Sequence, residues 1–225
     1  MRSRNKGGPD TSRTWVHCAA HVSQLCVLLY LTVPPGQALA QSTGLEIGLL
    51  RSGAFEAGGP LSVVETTRFN TVELDISLPL ASGDNWRLDL PIGLIPLAWV
   101  QETALGPASV ASSGDHWVVP TENGRATSRG FGIRPVGVRG IFGKGRVRLQ
   151  AEASGGILRF SIPTPSSNAT KVNFTGELGV GLRAELVGAH FGFGYRLHHL
   201  SNAGRGTVNP GIDSHMFYVG FWVHR

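Results

Sequence analysis

The chain has 225 residues, with 20 Lys and Arg against 15 Asp and Glu, a formal net charge of +5, and two cysteines. That excess is too small and too dispersed for a nucleic-acid-binding surface. After residue 40, no segment approaches the roughly 20 consecutive apolar residues a spanning helix needs.

Residues 1–40 carry Arg2, Arg4, Lys6 and Arg13, then an apolar run through Leu25–Leu31, and close on Ala38-Leu39-Ala40 before Gln41. A basic region, an apolar core and an Ala-x-Ala site predict a secretory signal over 1–40 and a single mature domain over 41–225. Both Cys18 and Cys26 fall inside the signal, so the mature domain has no disulfide to form. Export without disulfides suits a bacterial envelope protein better than a small stapled scaffold. Four basic residues and Asp10 leave with the signal, so 16 cations face 14 anions and the mature net charge is +2.

The remainder alternates with period two, the signature of half-buried strands. Leu45, Ile47 and Leu49 share one parity, as do Val72, Leu74, Ile76 and Leu78, and then Trp86, Leu88, Leu90, Ile92 and Leu94, in a segment interrupted by Pro91 and Pro96. A less regular strand spans Phe131–Phe142. Val147, Leu149, Ala151 and Ala153 follow, then Val172, Phe174, Leu178, Val180 and Leu182, then the stretch 188–201, and last Phe217, Val219, Phe221 and Val223. The opposite parity carries glycines and charges of both signs, including Glu73, Asp75, Arg87, Asp89, Glu152, Glu177 and Arg183. Residues 101–130 and 161–170, rich in Gly, Ser, Thr and Pro, read as loops. Eight antiparallel strands close a barrel just filled by its own side chains. The expected fold is therefore all-β, an eight-stranded transmembrane β-barrel with apolar residues toward lipid and a narrow lumen of paired charges. A soluble barrel with the faces exchanged has the same period; the export signal and aromatic last strand favour the outer membrane.

The segment His199-Leu200-Ser201-Asn202, followed by Asn209-Pro210-Gly211-Ile212-Asp213, carries the chemistry. Strand residues i and i+2 share a face, roughly 6.6 Å apart, so His199 and Ser201 lie side by side. Asp213 is the only carboxylate after Glu185, and Glu185, on the polar parity of its strand, is expected in the lumen. Ser201, His199 and Asp213 are the parts of a nucleophile–base–acid triad, which is defined by geometry rather than chain order. Phe191, Phe193, Tyr195 and Leu197 share the parity of His199 and Ser201, so the pair should face lipid. Asn209 first, then Asn202, are candidate donors to an oxyanion. His198 has lumen parity, and His198, His199 and His215 show no metal-ligand spacing of a known type; neither metal nor cofactor is called for.

From Asn173 to Phe221 the chain resembles the C-terminal part of the lipid A 3-O-deacylase (PagL-type) family of outer-membrane barrels. The matching residues are His199-x-Ser201-Asn202 and Asn209-Pro210-Gly211, preceded by Gly179-Val180-Gly181-Leu182 and Gly194-Tyr195-Arg196-Leu197. The resemblance implies a serine esterase that removes an ester-linked acyl chain from lipid A of lipopolysaccharide, with Ser201 as nucleophile and His199 as base. The family's acid is Glu; this chain has Asp213, one methylene shorter. A non-catalytic small barrel with a structural or adhesive role is the alternative, and a soluble lipid-binding barrel is the third reading.

Overall fold

The computed structural model describes residues 46–57, 68–110, 117–118 and 123–224. The signal expected over 1–40, and Leu45, lie outside these residues. Ten strands are present among them: β1 Glu46–Ala57, β2 Phe69–Gly83, β3 Trp86–Ala104, β4 Ser109–Val110, β5 Trp117–Val118, β6 Arg125–Phe142, β7 Val147–Thr164, β8 Thr170–Leu186, β9 Ala189–Ser201 and β10 Ile212–His224. Eight of them close an antiparallel barrel in the order β1-β2-β3-β6-β7-β8-β9-β10, and β10 pairs back onto β1; β4 and β5 form a separate two-stranded ribbon. No described helix is long and apolar enough to cross a membrane; crossing falls to the strands.

The parity read from sequence sorts the two faces. Leu49, Leu74, Phe131, Leu178, Val180, Phe193, Phe217 and Val219 are exposed on the outer wall. In water such a surface would aggregate; in a bilayer it is the solvated face. The protein is an outer-membrane barrel. Short turns at 84–85, 143–146 and 187–188 lie at the same end as Glu46 and His224, while the described connections 165–169 and 202–211 lie at the other. Short turns are periplasmic and long loops extracellular in such barrels, which puts the ends of β9 and the start of β10 on the outside of the cell.

The lumen holds a buried ion-pair network. Five arginines (Arg87, Arg134, Arg139, Arg183, Arg196) face six carboxylates (Glu46, Glu73, Asp75, Asp89, Glu152, Glu177), all buried, among the described residues. Arg134 is the hub: Nη1 donates to Glu152 (2.5 Å), Ser154 (2.6 Å) and Glu177 (2.9 Å), and Nη2 donates to Glu73. Arg139 grips both oxygens of Asp75 at 2.7 and 2.8 Å. Burying charge is tolerable only when each charge is met by its opposite, and the near balance of five against six meets that condition. Trp222 fills the periplasmic half, donating from Nε1 to Asp75 at 2.8 Å. A Cβ at Gly48, Gly192 or Gly220 would come within 2.3–2.7 Å of its ring, so these positions have no room for a side chain.

Three expectations are corrected. The lumen is not polar throughout: Phe69, Ile95, Ala98, Val100, Leu158, Phe160, Leu200, Ile212 and Met216 form an apolar plug at its extracellular end. The register shift between Ile95 and Ala98 brings Ala98 and Val100 to the lumen side, where a uniform parity sends them outward; the other seven keep the lumen parity of their strands and depart from expectation only in being apolar. The loops are shorter than expected, because β3, β6, β7 and β8 keep pairing into 101–130 and 161–170. Glu185 is not in the lumen; it is exposed at the periplasmic end of β8, 3.9 Å from Arg148.

Candidate active site on the outer wall

β9 and β10 pair so that His199 stands directly opposite Asp213, and Leu200 opposite Ile212. The pleat that sends Leu200 and Ile212 into the apolar plug therefore sends His199 and Asp213 outward. The two meet there: His199 Nδ1 donates to Asp213 Oδ1 at 2.6 Å. Asp213 is 1% exposed and His199 32%. A carboxylate this buried on a lipid-facing wall needs a specific partner, and the imidazole supplies it. Fixing the proton on Nδ1 leaves Nε2 as the basic nitrogen, on a ring edge still open to the surroundings.

Ser201, half-buried, is two residues beyond His199 on the same face and is the last residue of β9. On β8, Phe174 stands opposite Ser201 and Gly176 opposite His199. A Cβ built on Gly176 meets nothing within 4 Å, so the wall beside His199 is open. Sequence reasoning passed over Gly176, although a glycine on the outward parity between Phe174 and Leu178 is a readable gap.

The loop 202–211 is tied by Asn202, which is 2% exposed. Its Nδ2 donates to Val208 O at 2.7 Å, and its Oδ1 accepts from Gly204 N at 3.0 Å. Both ends of this carboxamide are thus engaged inside the loop. Asn209 differs. Its Oδ1 accepts the backbone N–H of Asn202 at 2.9 Å, which holds the carboxamide against the peptide that follows Ser201. Its Nδ2 is the end with protons to offer.

His198 points inward, as its parity requires; it stacks on Phe69 with centroids 4.1 Å apart and shares a 2.5 Å hydrogen bond with Thr175. His215 is on the outer wall, hydrogen-bonded through Nδ1 to the Tyr195 hydroxyl at 2.6 Å. The barrel wall therefore separates His198 from His199 and His215, and these three histidines cannot converge on one metal ion.

Comparison with known proteins follows the same lines. The model of the family described as lipid A 3-O-deacylase (PagL) matches residues 70–222. The crystal structure of the outer membrane enzyme PagL aligns with a TM-score of 0.50 at 18% identity, covering 78% of this chain and 97% of that one. Neisserial surface protein A aligns with a TM-score of 0.48 at 11% identity, covering 81% and 98%. No curated protein sequence matches the chain.

Proposed function

The chain belongs to the lipid A 3-O-deacylase (PagL) family, and from that premise we propose that it is a serine esterase of the outer leaflet that cleaves the 3-O-linked acyl chain of lipid A. The observation that carries this reading is the His199–Asp213 hydrogen bond of 2.6 Å on the lipid-facing wall, beside Ser201. An ester at the boundary between a glycolipid headgroup and its chains lies at the height where β9 ends and the loop begins. The substrate then reaches the site by lateral diffusion, without entering the lumen.

The chemistry runs in two halves. His199 Nε2 takes the proton of Ser201 Oγ as that oxygen attacks the ester carbonyl. The carbonyl π electrons move to oxygen, and Asn209 Nδ2 donates to the oxyanion in this reading. Collapse expels the sugar hydroxyl, which receives the proton from His199, and leaves the acyl chain on Ser201. Water, deprotonated by His199, attacks the acyl-enzyme; fatty acid departs and the proton returns to Ser201. Throughout, Asp213 keeps the imidazole in the Nδ1–H tautomer and compensates the imidazolium. None of these steps requires a metal or cofactor.

Labelling with a fluorophosphonate probe tests the nucleophile. The detergent-solubilised protein should gain one adduct, mapped to Ser201, and the His199→Ala variant should gain almost none. An adduct on another residue, with Ser201 unmodified, overturns the assignment.

A further inference from the structure

The ester chemistry leaves exposed cations on the extracellular margin of the wall unused, and two of them lie around Phe174. In the loop 202–211, Arg205 N–H donates to Asn202 O at 3.1 Å, and Ala203 (φ 52) and Gly204 (φ 74) between them are both left-handed. This is the backbone of a type I′ turn, a conformation glycine takes freely and alanine does not. Pinned by the Asn202 carboxamide, the turn holds the Arg205 guanidinium 4.8 Å from the centre of the Phe174 ring. Phe174 is the cross-strand neighbour of Ser201. The second cation is Arg159 on β7, exposed and opposite Val172 of β8. Val172 lies one outward step beyond Phe174 toward the loops. Arg159 therefore sits two strands across and one step above Ser201, with a backbone separation on the order of 12 Å from strand and residue spacings.

Neither Arg159 nor Arg205 has a carboxylate partner among the described residues, whereas every lumen arginine has one. Guanidinium groups present paired N–H donors that match phosphate oxygens. Resting on the deacylase reading, we propose that Arg205 and Arg159 form an anion subsite for a phosphate on the headgroup of the glycolipid whose ester Ser201 attacks. The phosphate is held above Phe174 while the acyl chain runs down the wall past Gly176. The subsite sets the register of the substrate, so it acts on KM more than on kcat.

The test uses the mature protein in detergent micelles, with phosphorylated lipid A and the same lipid A stripped of phosphate. Wild type should show kcat/KM about tenfold or more higher on the phosphorylated form, carried by KM. In the Arg159→Gln/Arg205→Gln double variant that ratio should fall close to one. A wild-type ratio near one, or a double variant that keeps the wild-type ratio, overturns the subsite. Inorganic phosphate equimolar with the lipid should not inhibit; inhibition at that level would replace the headgroup assignment with a free-anion site. If wild type turns over neither lipid, the deacylase reading fails, and the subsite is then judged by binding to the Ser201→Ala protein. Tighter binding of the phosphorylated lipid, lost on adding the double substitution, supports it; equal binding of both lipids overturns it.

Discussion

Arg134→Met should destabilise the barrel severely without touching the chemistry. Arg134 is fully buried and holds Glu73, Glu152 and Glu177 at once, with Asp75 at 3.6 Å. Removing it changes the lumen balance from five arginines against six carboxylates to four against six, and leaves Glu73 dependent on Arg196 at 3.4 Å. Breaking a buried pair by deleting one partner costs roughly 3–5 kcal/mol. A loss of about 4 kcal/mol is nearly a thousandfold in the ratio of folded to unfolded protein. Urea-dependent refolding into detergent or lipid vesicles, followed by Trp fluorescence and heat-modifiable mobility, measures it. Adding Glu177→Gln restores the one-charge imbalance and should recover a substantial part of the loss. Turnover per folded molecule should stay at the wild-type level, because Arg134 faces the lumen and His199 faces lipid. A loss below about 1 kcal/mol would refute the reasoning: the lumen would then be wet enough to solvate its carboxylates.

Other consequences are equally direct. Asp213→Asn should fold but lose roughly 10⁴-fold in turnover, as expected when an amide favours the wrong histidine tautomer; Asp213→Glu, the family's residue, should keep substantial activity, and steady-state kinetics on lipid A separates the two. Gly176→Phe should fill the open space beside His199, leaving a normally inserted barrel with activity lowered by about tenfold or more, since small displacements of a substrate are costly; wild-type rates would mean that the chain takes another path. We propose that residues 1–40 are removed on export. N-terminal sequencing should begin at Gln41, with the mature protein in the outer-membrane fraction, and an intact N-terminus would contradict it.

The alternation of Val72–Leu78 and Val147–Ala153 revealed the strands, because a lipid-facing side chain and a buried arginine are chemically opposite and a period of two keeps them apart. The same rule placed His199 and Ser201 outward and His198 inward. It failed where the period breaks. At Pro96 the shift in register turns Leu94 and Leu97 to the same side and buries Ala98 and Val100, which a uniform parity sends outward. Glu185 was misplaced for a related reason: parity says which face a residue takes, and not whether the barrel extends far enough to enclose it. The bond between His199 and Asp213 arises from cross-strand register, which the residue count of the intervening loop does not determine. Arg205 was unreadable, since its position depends on the left-handed turn at Ala203 and Gly204.

The central claim is that Ser201 removes an acyl chain from lipid A at the outer wall. Mass spectrometry of lipid A from cells expressing the wild-type protein, compared with cells expressing equal amounts of inserted Ser201→Ala, tests it most directly. The account predicts a species lacking one ester-linked acyl chain, with the 3-O position vacated, only in the wild-type cells. Identical lipid A from both, or the same loss of a chain with Ser201→Ala, would contradict it.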